Sequence, residues 1–190
     1  MTIHMKTLKP YLLLTAFEVI AIAAGAKPIE IDPQQSKVEV AVSCTMDSFV
    51  GKLEKYQANV DCDPAAALPA KADVSFDFAD LKTGKTDRDA AMLKWLQYDT
   101  NRTASFHLTS WQQAGTTNIA VGELTIHGVS LTVQMPVLVK RDDVAWDISG
   151  QATFDYVDFK LPKIRKALFL TVDPKLQVKF HLVGKIAVVK

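Results

Sequence analysis

The stretch "VGELTIHGVSLTVQMPVLV", residues 121–139, decides the fold. With His127 and Gly128 as a two-residue loop, Ile126 faces Val129, Leu124 faces Leu131, Gly122 faces Val133 and Ala120 faces Met135, all on one side. The other side collects Thr125 with Ser130, Glu123 with Thr132 and Val121 with Gln134. One register thus sorts nearly every apolar residue from nearly every polar one, as an antiparallel hairpin with one buried face requires. Two-residue loops that follow strand twist need positive φ at a central position, which glycine accepts freely and histidine more readily than most residues. His127 is therefore read as a turn residue rather than as a ligand or catalytic group.

Outward from this hairpin the apolar period stays at two. Val38, Val40, Val42 and Cys44 form one row, Ala72, Val74, Phe76 and Phe78 a second, and Ala104, Phe106, Leu108 and Ser110 a third, with His107 and Trp111 in the outward phase. Val144, Trp146 and Ile148, continued by Ala152 and Phe154, make another inward row; Leu176, Val178, Phe180 and Leu182 make the last, with His181 outward. Between the first and second rows, Leu53 is in one phase and Tyr56, Ala58, Val60 and Cys62 in the other, so a bulge or bend is expected near Glu54 or Lys55. With the two hairpin arms these segments give eight strands. "DRDAAMLKWLQY" departs from the pattern: Met92, Leu93, Trp95 and Leu96 predict one or two helical turns, with Asp87 as N-cap and Asp89 in the first turn. "DFKLPKIRKALFLTVDP", with Pro162 and several basic residues, reads as irregular.

Eight antiparallel strands with one apolar face each must stack or close, and closure removes the exposed edges. The fold class is all-β: a lipocalin-like eight-stranded antiparallel barrel with a short helix between strands 3 and 4. Its inward positions mix small residues (Ala58, Ala72, Ala104, Ala120, Gly122, Ala152) with large ones (Phe76, Phe78, Phe106, Trp146, Phe154, Phe180), which permits a lumen without requiring one.

The 190 residues suit a single domain. Lys6 and Lys9 precede the apolar run "YLLLTAFEVIAIAAGA", which ends in small residues at Ala24 and Ala26 and carries one charge, Glu18. Residues 1–26 read as a secretory signal peptide and 27–190 as the barrel domain; the run is short for a membrane anchor. Losing that segment brings the 22 basic and 21 acidic residues to equal numbers, interleaved along the chain, so no polyanion surface and no nucleic-acid partner is indicated. Export would carry Cys44 and Cys62 into an oxidising compartment, where a bridge must be considered. With the first turn near Asp47 and Ser48, however, the register separates them by ~30 Å at about 3.3 Å per residue, which favours two buried thiols.

Catalytic signatures are missing: there is no HExxH, CxxC, GxSxG or P-loop pattern. His107, His127 and His181 are assigned to different surfaces, which argues against a metal site, and neither cysteine has a histidine or basic cluster near it in sequence. Asn101 heads an "NRT" sequon. Arg88, between Asp87 and Asp89, could serve local ion pairing, or its guanidinium could face the phosphate or carbonyl oxygen of a bound lipid.

"IDPQQSKVEVAV", "SFVGKLEKYQANVDCDP", "TGKTDRDAAML", "ASFHLTSW" and "VGELTIHGVSLTVQMPV" follow one another in the order seen in the YceI-like family of secreted polyisoprenoid-binding proteins, which this chain resembles from about Ile31 to Leu182. The resemblance is carried most strongly by Gly122 to Val129 and by the Arg88–Asp89 pair. It implies a lipocalin-like barrel, exported to the periplasm, whose lumen holds the chain of an isoprenoid quinone or polyprenyl phosphate. The chain departs from that pattern at "NRTASF", which has Arg102 and no proline, and at "FDYVDFKLPKIR", which replaces an Arg-x-Asp-Phe-Gly stretch. Those positions bear on the head group.

The expectation is a non-enzymatic periplasmic carrier without a catalytic cofactor. Its ligand walls would be Val40, Val42, Phe76, Phe78, Phe106, Leu108, Leu124, Ile126, Leu131, Trp146, Ile148 and Phe180, with Arg88 at the head group. The implied partners are an apolar lipid and a transient membrane or membrane-protein contact, with self-association left open. Two rivals stand beside it: a solidly packed barrel that docks a membrane or respiratory partner, and a lumenal enzyme acting on a small apolar or acyl substrate.

Overall fold

The computed structural model describes residues 25–45, 48–166 and 170–187. Residues 1–24, on which the export reading rests, and Asp47 of the first turn lie outside the described residues. The elements are β1 (Lys27–Ile31), β2 (Lys37–Cys44), β3 (Phe49–Leu53), β4 (Gln57–Cys62), β5 (Pro69–Asp77), β6 (Leu81–Lys82), α1 (Thr86–Trp95), β7 (Thr103–Ala114), β8 (Thr117–Ile126), β9 (Val129–Arg141), β10 (Ala145–Asp155), β11 (Arg165–Lys166) and β12 (Leu170–Ile186).

Several of these are halves of one wall. β1 and β2 lie in succession along one edge of β12, pairing at Ile29↔Ile186 and Val40↔Val178, while β10 occupies the other edge. β3 and β4 are likewise one strand interrupted at 54–56, where the sequence pattern changes phase; β3 pairs with β2 and β4 with β1. Around the ring the order β1–β4–β5–β7–β8–β9–β10–β12 returns to β1, giving a closed eight-stranded antiparallel barrel. β1 was not foreseen, because KPIEI offers only Ile29 and Ile31 in phase.

The β8–β9 hairpin has the predicted register, from Ile126↔Val129 through Leu124↔Leu131 and Gly122↔Val133 to Ala120↔Met135. His127 and Gly128 have φ of 52° and 70°, the paired left-handed conformations of a type I′ turn. A β-branched residue would be strained there, so His127→Val is expected to cost about 1–2 kcal/mol. His127→Asn should leave the melting temperature unchanged or higher, since Nε2 of His127 is buried without a partner among the described residues.

Four sequence-based assignments need correction. Thr109 is an extra residue between the pairs Leu108↔Gly122 and Ser110↔Val121, and this bulge turns Trp111, not Ser110, inward. Val144 precedes β10 and is 52% exposed. The N-cap of α1 is Lys85, with Asp87 inside the first turn; Asp89 instead accepts hydrogen bonds from the Thr83 backbone N–H (2.9 Å) and Oγ1 (2.5 Å). "DFKLPKIRKALFLTVDP" is not irregular throughout: it begins inside the 3-10 turn Tyr156–Phe159, which buries Tyr156 and Phe159, and from Leu170 it belongs to β12.

His107 and His181 lie on the outer surface, as expected. His181 Nε2 is 3.0 Å from Asp147, and His107 Nδ1 hydrogen-bonds Asp73, whose other oxygen is 3.0 Å from Lys71 Nζ. The His107 hydrogen bond, followed by that of Lys71, holds the Asp73 carboxyl below the ordinary carboxylate range. A depressed folded pKa stabilises at pH values above the unfolded one and is lost as pH falls through the folded one. Acidification below about pH 4 should therefore lower the melting temperature of the wild type more than that of Asp73→Asn.

Candidate functional site

Inside a closed barrel an inward residue should be fully covered, yet Val42, Val74, Phe76, Phe106, Leu124, Val133, Phe154, Leu176, Val178 and Phe180 are only half-buried. They face an internal cavity of about 920 Å³. That lies in the range of ligand pockets, roughly 300–1,000 Å³. At about 30 Å³ per water-sized group it holds on the order of 30 carbon-sized groups.

The two ends differ. At one, Trp146 is 1% exposed and lies beneath Arg141, whose guanidinium is 5.0 Å from the indole centroid. Arg141 also donates to the Ala66 carbonyl and, at 2.8 Å, to that of Pro64, so the β4–β5 loop is strapped across this end. At the other end α1 lies over the opening, with no fully buried residue of its own. Trp95 Nε1 donates to the Pro162 carbonyl at 2.9 Å, and the Arg88 guanidinium stacks 3.8 Å from the Phe49 ring centroid. The charged side chains lining the cavity are Lys85, Asp87 and Arg88, all at the start of α1. Asp89 is engaged by Thr83, and no ion pair of Arg88 is present among the described residues, so its remaining donors are available to an anionic or carbonyl group.

Of the wall residues chosen from sequence, Val40, Val42, Phe76, Phe78, Phe106, Leu108, Leu124, Ile126, Ile148 and Phe180 line the cavity, as does Arg88. Two do not. Trp146 is one inward position past Ile148 and packs under Arg141; Leu131, although in the inward phase, belongs to the cluster built around Phe159 and Leu161. Residues missed include Trp111, hidden by the Thr109 bulge, and Phe49 and Lys85, which gave no periodic signal. Val133 and Val178 also line it, and their alternation was already legible. Arg102, one of the residues departing from the family pattern, stays outside, donating to Tyr98 Oη at 2.9 Å and pairing with Asp77 at 3.7 Å.

Little here is arranged for bond chemistry. Among the described residues no three His, Cys, Asp or Glu side chains stand where they could hold a metal ion. Cys62 is a free, fully buried thiol, pushed above its ordinary pKa by burial, so no bridge joins it to Cys44, which lines the cavity at the α1 end.

The profile of the YceI-like domain matches residues 30–184, spanning the barrel and its cavity. The chain belongs to the YceI-like domain family. Among solved structures, this YceI-like barrel is similar to that of Burkholderia cenocepacia BcnA, with 26% identity, a TM-score of 0.71 and coverage of 81% of this chain and 99% of that one. A Campylobacter jejuni YceI protein (19% identity, TM-score 0.62, 73% of this chain and 85% of that one) shares the fold. So does a domain from Saccharophagus degradans described as polyisoprenoid-binding (14% identity, TM-score 0.66, 86% and 100%). No curated protein sequence matches significantly.

Proposed function

We propose that this YceI-like protein is a non-enzymatic periplasmic carrier that holds a long isoprenoid-type lipid, a quinone or a polyprenyl phosphate, in its barrel. The observation that carries the reading is the 920 Å³ cavity, whose wall is apolar except near its α1 end. Burying a hydrocarbon chain there is favoured by about 25 cal/mol per Å² of apolar surface removed from water, before ordering costs. Placing the head group at Lys85 and Arg88 gives a phosphate or a quinone carbonyl hydrogen-bond donors and keeps the tail away from charge. The polyisoprenoid-binding description of the Saccharophagus degradans domain supports the ligand class, and Lys6, Lys9 and the apolar run after them support export. A solidly packed docking module is disfavoured, because the interior is not solid.

The test is extraction of protein purified from its native compartment with organic solvent, followed by mass spectrometry. Stoichiometric isoprenoid is the expected result. Repeated absence, including after incubation with farnesol-, quinone- or polyprenyl-loaded vesicles, removes the reading.

A further inference from the structure

The barrel wall has a gap in its hydrogen bonding. β9 and β10 pair only from Val137↔Gly150 to Arg141↔Trp146; toward the α1 end, residues 129–136 and 151–155 make no ladder with each other. The cause is local. The β8–β9 turn makes Ile126 and Val129 a hydrogen-bonded pair, so residues 129, 131, 133, 135 and 137 bond to β8 and the residues between them turn their N–H groups toward β10. Pro136 stands first beyond the last paired position and has no N–H to give. Farther along, the seam is filled by Phe159, which packs in one cluster with Val129, Leu131 and Phe154. Between these limits it is shut by side chains alone.

An outer groove of about 530 Å³ lies where this seam begins, over Pro136 and Gln151 and the last paired rungs Leu138↔Ser149 and Val137↔Gly150, with Asn118 and Lys179 at its flanks. Val137 and Phe180 border both this groove and the internal cavity. The Phe180 ring lies against Gly150, where an added Cβ would stand 2.6 Å from its Cζ. The Phe180 ring, behind a residue without a side chain, and the Val137 side chain therefore separate the groove from the lumen.

We propose that the hydrocarbon ligand enters and leaves the lumen sideways through the β9–β10 seam, with Phe180 as its gate, rather than past α1. The proposal rests on the lumenal-ligand reading above and adds the route. Opening the seam breaks no backbone hydrogen bond between β9 and β10; it needs a turn of the Phe180 ring and a shift of the pliable Met135 side chain, which belongs to the same apolar cluster. Opening the α1 end breaks the Trp95–Pro162 hydrogen bond and the Arg88–Phe49 stack, and it drags an apolar tail past Lys85, Asp87 and Arg88. A tail crossing there passes three charged side chains, whereas the groove at the seam carries one, Lys179, beside Pro136, Leu138 and uncharged polar groups.

The experiment uses bismaleimide staples across exposed positions of full-length protein carrying Cys44→Ala and Cys62→Ala. One staple joins Gln134→Cys to Thr153→Cys over the seam; the other joins Lys94→Cys to Lys163→Cys and fastens α1. Uptake and release of a fluorescent polyene fatty acid are followed by stopped flow, and its equilibrium affinity by titration. The seam staple is expected to slow both rates by about tenfold or more with affinity unchanged, and the α1 staple to alter them by less than about twofold. Undiminished rates with the seam stapled, or equal or greater slowing by the α1 staple, overturn the route while leaving the lumenal reading intact. An unstapled protein that takes up no probe removes both.

Discussion

Val178→Trp is expected to abolish most ligand binding while leaving the barrel folded. Val178 lies on the long strand β12, between Ala152 and Val40 on the neighbouring strands, and its side chain is only half-buried because it faces the cavity. The indole has room to extend into that space, so the folded state is not overpacked. If about 100 Å² of ligand contact is displaced, the loss at about 25 cal/mol per Å² is about 2.5 kcal/mol, on the order of fiftyfold in affinity. The lipid recovered by extraction should fall in parallel, and the melting temperature of the ligand-free protein should stay level or rise. Undiminished lipid in a folded Val178→Trp protein places the ligand outside the lumen.

Gly184→Ala should be strongly destabilising for a change of one methyl group. Gly184 pairs with Ile31 on one side and Trp146 on the other, at the point where β1 and β12 close the ring. A Cβ there would stand 2.6 Å from the Glu30 carbonyl oxygen and 2.7 Å from Ile29 Cγ2. The carbonyl is backbone and cannot rotate away, so the strands must part. Overpacking of this kind costs about 1–3 kcal/mol, and the upper end is expected here. For a chain of this length that is roughly 6–12 °C in melting temperature by calorimetry. A shift below about 2 °C would show that the closure yields more easily than its spacing indicates.

The hairpin at His127–Gly128 was legible because two independent signals agreed: a strict period of two on both arms, and a dipeptide suited to positive φ. The bend at 54–56 was legible from a change of phase alone. The Thr109 bulge was not, since Ser110 and Trp111 can each be placed inward by alternation, and only the partner strand decides which is. Pro136 was the overlooked signal. A proline in a strand that reads as central marks a failed hydrogen bond, and the seam is that failure. Whether the core was full or hollow lay beyond periodicity, because alternation reports which way a side chain points and not whether another meets it. The start of α1 was misplaced for a related reason: Asp87 had the chemistry of a cap, while Asp89 is turned back to Thr83.

The strand β12 has a consequence for biosynthesis. Its Val172–Ile186 stretch supplies the partners of both β1 and β2, joining residues about 130 to 160 positions apart in the chain. A nascent polypeptide therefore exposes two unsatisfied edges until β12 emerges, and release or truncation ahead of β12 leaves an open, sticky sheet instead of a shorter cylinder.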